Sequence, residues 1–173
     1  MSVTITTALN AGLQAHRAGD LSRAIAVYKA VLDLAPDDPK ARHLRGFALL
    51  QAGQIEAALI DLQLSVGLAP GNGTAWTHLS VCRDRLGLPA APTAQRALLL
   101  SPNAQEALDV LVRKSAADTR ALSWLLVLAP GDPSAWSRVG LARAPYAPSL
   151  ATPQFRRALC LAPSAASIAL DLA

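Results

Sequence analysis

Small and apolar residues recur along this chain at one interval, and that interval predicts its helices. Aligned on Pro36 and Pro70, which stand 34 residues apart, two segments match position by position: GLQAHRAGDLSRAIAVYKAVLDLAP and GFALLQAGQIEAALIDLQLSVGLAP. Gly12 returns as Gly46, Gly19 as Gly53, Ala24 as Ala58 and Leu34 as Leu68. β-Branched residues are scattered, with no strand-like alternation. A fixed period of this length marks an array of helix pairs, each burying the face that its neighbour leaves open.

A Leu-Ala-Pro or Leu-Ser-Pro signal predicts helix ends at Pro36, Pro70, Pro102, Pro130 and Pro163, at intervals of 34, 32, 28 and 33. Proline lacks the amide donor a further turn needs and clashes with the turn before it. Asp37-Asp38-Pro39, Gly71-Asn72-Gly73, Asn103-Ala104 and Gly131-Asp132-Pro133 then supply turn and N-cap chemistry for the next helix. Gly19, Gly53 and Gly87 fall where a first helix ends, in the left-handed conformation that glycine takes at little cost. The expected organisation is one array over residues 1–173, with repeats at about 5–38, 39–72, 73–104, 105–132 and 133–165 and a partial repeat at 166–173. The fourth repeat is degenerate. In the fifth, Pro145, Pro148 and Pro153 predict a stiff exposed turn, with Thr152 as N-cap and Pro153 at the first helical position. Ile168, Leu170 and Leu172 leave the terminal segment without a polar outer face.

Composition agrees with an all-α chain: 52% of residues are apolar, mostly Ala and Leu, and only 4% are aromatic, which excludes intrinsic disorder. The formal net charge is +4, but the arginines are dispersed and the tightest basic cluster is Arg156-Arg157. Nucleic acid is therefore not an expected partner, because phosphate binding needs cations along one face. Cys82 and Cys160 show no CxxC spacing and read as free thiols in a reducing, cytoplasmic setting. The start, MSVTITTALNAG, has no basic segment followed by a long apolar one, so no secretory leader is expected. The longest apolar stretches, such as Trp124 to Pro130, fall short of a membrane span of about 20 residues.

The pattern resembles the tetratricopeptide repeat family. Gly12, Gly19, Ala24, Tyr28 and Pro36 keep that family's register, as do Gly46, Gly53, Ala58, Leu62 and Pro70. Trp76, Leu79, Ser80, Gly87, Ala90, Ala97 and Pro102 fit in the third repeat, and Trp136, Val139, Gly140, Ala151, Phe155, Ala158 and Pro163 in the fifth. In the fourth only Leu108 and Leu111 fit, and Val112 replaces a small residue. The resemblance implies a right-handed superhelical solenoid of antiparallel helix pairs, about five repeats plus a terminal helix. It also implies that Gly12 faces Ala24, and Gly46 faces Ala58, where the paired helices approach most closely.

In this family the first helix of each repeat lines a concave groove. Carried onto this chain, the expected partner-binding residues are His16, Arg17, Lys40, His43, Phe47, Leu50, Thr77, His78, Val81, Arg85, Glu106, Asp109 and Arg113. Phe47 and Leu50 would be apolar anchors, while His16, Arg17, Lys40, His43 and Arg85 would hold polar or acidic groups. The family's carboxylate clamp for acidic chaperone tails is absent, since its positions read Leu9, Leu13, His43, Phe47, Thr77 and Val81. His78 and Cys82 share a helical face and His43 could approach them, but four-coordinate sites need more ligands, so neither metal nor cofactor is expected. No nucleophile elbow, phosphate-binding glycine loop or HExxH motif appears. The expectation is a non-catalytic scaffold that binds a peptide or protein. The alternatives are the front of a larger bacterial enzyme of sulfotransferase, glycosyltransferase or methyltransferase type, and a module that self-assembles through its C-terminal face.

Overall fold

A computed structural model describes residues 2–114, 126–127, 130–131, 133–145 and 148–162. The chain is all-α, built of sequential antiparallel helix pairs. It divides into two compact units, Met1–Pro89 and Ala90–Ala173.

The first unit contains α1 (Ser2–Arg17), α2 (Leu21–Leu34), α3 (Pro39–Gln51), α4 (Ile55–Leu68) and α5 (Gly73–Arg85). Each helix packs on the next, and the first helices α1, α3 and α5 also meet one another. Asp20, Asp38 and Asn72 cap α2, α3 and α5 by accepting the amides of Arg23, Ala41 and Ala75 at 3.0, 2.7 and 3.2 Å. Gly19 and Gly53 take φ of 81° and 78°, letting the chain reverse between paired helices. The core is Ala24, Tyr28, Val31 and Ala41 around one pair, continuing through Ala58, Leu62, Ala75, Leu79 and Cys82 around the next.

At the close approach within a pair, the atoms nearest the glycines belong to larger side chains. A Cβ on Gly46 would lie 2.8 Å from Cγ of Leu62 and 3.3 Å from Cβ of Asp61, and one on Gly12 would strike the Tyr28 ring. The small residue thus makes room for a bulky side chain four residues beyond Ala24 or Ala58. Gly140 repeats this in the second unit, where a Cβ would meet the Phe155 ring at 2.7 Å.

A second regularity lies at the turns between repeats. The side chain six residues after the helix-ending proline donates to that proline's carbonyl: Arg42 to Pro36 at 3.1 Å, Trp76 to Pro70 at 3.0 Å and Trp136 to Pro130 at 2.9 Å. A long or aromatic donor one turn into the next helix satisfies a carbonyl freed where the helix stops. Pro102 has Leu108 at this place, which cannot donate.

The second unit contains α6 (Ala91–Leu100), α7 (Gln105–Lys114), α8 (Pro133–Arg143) and α9 (Pro148–Leu161). α6 packs on α7, α7 on α8 and α8 on α9. α9 begins five residues earlier than the sequence suggests: Pro148 opens it, and Pro153 lies inside it. The fixed φ of Pro148 already suits a first turn, so neither Thr152 as N-cap nor Pro153 as first residue is needed. The terminal segment 166–173, expected to carry a self-assembling face, lies outside the described residues, as does most of the second helix of the fourth repeat.

Candidate functional site

Four ring side chains from three successive first helices form a row in the first unit. His16 of α1, Phe47 of α3 and His78 of α5 are each 31 residues apart, three short of the 34-residue period. The Phe47 and His78 rings stack with centroids 4.0 Å apart and planes within 2°. His16 lies on the other side of Phe47 at 5.1 Å, tilted by 40°, and His43 lies 5.1 Å from His78, tilted by 31°.

Polar contacts across the row join residues 35 apart. His16 Nε2 lies 2.8 Å from Gln51 Oε1, His43 Nε2 lies 3.0 Å from His78 Nδ1, and Arg85 Nη1 donates to the Leu50 carbonyl at 3.5 Å. Residues one period apart lie at equivalent places on adjoining helices, and one further step turns the side chain toward its neighbour.

The His43–His78 bond has a direction set by a neighbouring cap. Asn72 uses Oδ1 to accept the Ala75 amide, which turns its Nδ2 toward His43 Nδ1 at 3.5 Å. His43 Nδ1 therefore accepts, its Nε2–H donates, and His78 Nδ1 accepts in turn. A proton added to either accepting nitrogen would set two donors face to face. Burial disfavours the charged forms as well. It lowers the pKa of His43, and lowers that of His78 to about 3 with further contributions from His43 and His16. Both rings are neutral at physiological pH.

The remaining expected residues divide sharply by exposure. Arg17, Lys40 and Arg85 are exposed beside the ring row, and Phe47 is half-buried. Leu50, by contrast, is only 4% exposed and belongs to the core, so it presents no anchor. Thr77 is buried and its hydroxyl donates to the Gly73 carbonyl at 3.0 Å. Val81 packs against the core of the second pair. The second unit places Glu106 and Arg113 on the surface of α7, whereas Asp109 accepts from Arg138 of α8, which also reaches Gln105 at 3.2 Å. Asp109 thus ties α7 to α8.

Cys82, one turn after His78 on α5, is buried, and desolvation pushes its thiol pKa up to about 11. A thiol held protonated is a poor nucleophile and a poor metal ligand. Among the described residues no three His, Cys, Asp or Glu side chains gather as a metal site would require.

One charged cluster was not foreseen from sequence. Asp61 on α4 is 1% exposed and takes both Arg45 Nε at 2.5 Å and Arg45 Nη2 at 2.7 Å, with Arg42 Nη1 at 3.0 Å. The bond to Asp61 raises the Arg45 pKa against its own desolvation. Two arginines three apart on a first helix, with an aspartate in the next, are the only sequence signal for it.

Paired helices repeating with capped turns, and ring side chains aligned along the first helices, define a helical-repeat protein. Residues 13–84 match the family model described as Tetratricopeptide repeat. Solved structures share its fold. A MamA protein is 23% identical over 96% of each chain with a TM-score of 0.76. YrrB, described as a TPR protein with an unusual peptide-binding site, is 23% identical over 94% of this chain and 88% of its own, with a TM-score of 0.70. TTC0263, a thermophilic TPR protein of Thermus thermophilus, is 19% identical over 97% of this chain and 96% of its own, with a TM-score of 0.55. No curated protein matches the chain in sequence. No described helix is long and apolar enough to cross a membrane.

Proposed function

We propose that the first-helix face of residues 1–89 is a groove that binds an extended or helical peptide segment of a partner protein, with no catalysis by this chain. The observation that carries this reading is Phe47 held between His16 and His78 while Arg17, Lys40 and Arg85 stay exposed beside it. Rings fixed by stacking offer an apolar platform at small entropic cost, and the cations around it favour an acidic ligand. Asp84 is the sole acidic residue on α1, α3 and α5, so the face is predominantly basic. The peptide-binding character of YrrB supports the assignment, as does its fold-level likeness to this chain.

A cytoplasmic setting suits the free thiols Cys82 and Cys160.

Affinity capture followed by mass spectrometry, comparing wild type with Phe47→Ala and with Lys40→Glu, tests the reading. Both variants are expected to lose the partner while keeping their helical circular dichroism. Unchanged capture by both would sink it.

A further inference from the structure

The outer helix α4 carries its polarity on the wrong side. Its two acidic residues are Glu56, in the first turn, and Asp61, which is buried against Arg42 and Arg45. The exposed positions are Glu56, Ala57, Ile60, Gln63, Leu64, Gly67 and Leu68, of which only Glu56 is charged. Ile60 is 59% exposed and Leu64 and Leu68 are each 45% exposed; Leu34, one period before Leu68 on α2, is 76% exposed. Together with smaller neighbours they present roughly 400–500 Å² of apolar surface, within the about 300–600 Å² of the largest patch on an ordinary monomer, which is often a functional one.

Ala57, Ile60, Leu64 and Gly67 follow a three-four-three spacing, the seam along which one helix packs on another. Beside that seam is an open cleft of about 260 Å³ lined by Ile25, Leu49, Ala57 and Ile60 together with Lys29 and the Arg45–Asp61 pair. Ridge and cleft lie at opposite ends of the same helix face, Leu68 at one and Ala57 at the other.

We propose that this face docks against the same face of a second copy of the chain, α4 against α4 in antiparallel register about a two-fold axis near residue 62. In that register each Ile60 meets Leu64 of the second copy, and each Leu68 covers the cleft beside Ala57 of the second copy. Small Ala57 and Gly67 let the two backbones approach closely. An isologous contact needs a self-complementary surface, and this one carries its own knob and hole. The charges are close to balanced: Arg23, Lys29, Asp33 and Glu56 are the exposed charged residues of α2 and α4, and Arg42 and Arg45 are paired with Asp61, which suits a copy of itself better than a strongly charged partner. A standard interface covers about 800 Å² per partner. The apolar seam supplies about half of that area, and the polar residues flanking it on α2 and α4 supply the rim.

Light scattering and sedimentation equilibrium on the full chain over a wide concentration range test this. The chain is expected to dimerise. Leu64→Glu is expected to raise the dimer dissociation constant by at least roughly 30-fold, the loss of one central anchor on each copy, with unchanged helical circular dichroism. In a Cys160→Ser background, Gln63→Cys is expected to form a disulfide-linked dimer on mild oxidation, while Lys40→Cys on α3 does not. A chain monomeric at every concentration overturns the proposal, and so does a dimer that Leu64→Glu leaves intact or that Gln63→Cys fails to cross-link. Recovery of a different protein on this face, with the chain itself monomeric, overturns the second copy as occupant.

Discussion

Acid should loosen this protein before its carboxylates begin to titrate, because His78 is held neutral inside the first unit. In an unfolded chain a histidine ionises near pH 6.5, whereas in the folded protein burial, with further contributions from the charges of His43 and His16, holds the His78 pKa at about 3. Between those values the unfolded state binds the extra proton, so stability falls as pH falls. The loss runs at about 1.4 kcal/mol per pH unit for one such group and reaches about 2 kcal/mol at pH 5. His43, whose pKa is also lowered, adds to it in the same direction. Carboxylates contribute mainly below about pH 5, which leaves pH 5–7.5 to the histidines. Urea unfolding followed by far-UV circular dichroism at pH 7.5, 6.5, 5.5 and 5 measures the slope. In His78→Gln the amide oxygen can still accept from His43 but does not titrate, and the slope should fall by about 1.4 kcal/mol per pH unit. Parallel stability profiles for wild type and variant would refute the buried neutral pair.

Glycine placement gives a matched contrast in thermal unfolding. Gly46→Ala puts a methyl against Leu62 and should cost about 1–3 kcal/mol, whereas Gly67→Ala meets nothing within 4 Å in its own chain and, at concentrations where the chain is monomeric, should stabilise by up to about 1 kcal/mol. Asp61→Leu leaves Arg42 and Arg45 without their shared carboxylate, their side chains 19% and 21% exposed. Partial hydration softens that penalty, and the expected cost in denaturant titration is about 2–3 kcal/mol. Tyr28→Phe removes a buried hydroxyl that has no hydrogen-bond partner, while the ring still fills the space beside Gly12. It should leave stability unchanged or raise it by up to about 1 kcal/mol, and a loss above 1 kcal/mol would show that the hydroxyl is satisfied.

The parts of this protein legible in its sequence are those decided within one repeat. Gly19 and Gly53 adopt positive φ because the chain must reverse within a few residues, and Asp38 and Asn72 cap because they immediately precede the helices they serve. The proline interval brings α1, α3 and α5 to equivalent places, which is why the first-helix face and its residues Arg17, Lys40, Phe47 and Arg85 were legible. Exposure within that face was less so. Leu50 and Thr77 share the expected register, yet both turn into the core, because one step along a helix rotates a side chain by about 100°.

Contacts between repeats were decided only by the tertiary structure. His43 and His78 form a bonded pair because they lie one period and one step apart on adjoining helices, and the direction of their bond depends on the cap made by Asn72. The orientation of α4 was legible only through the repeat register of Ala58 and Leu62. Its own sequence, IEAALIDLQLSVGL, is apolar on most sides, so its hydrophobic pattern alone does not say that Ile60 faces out and Asp61 in. That choice follows from the guanidinium groups of Arg42 and Arg45, which draw the carboxylate inward from the neighbouring helix, and from Gly46, which leaves room for Leu62 beside it. Local chemistry sets where each helix begins and ends, while only packing against its neighbours sets which way it faces.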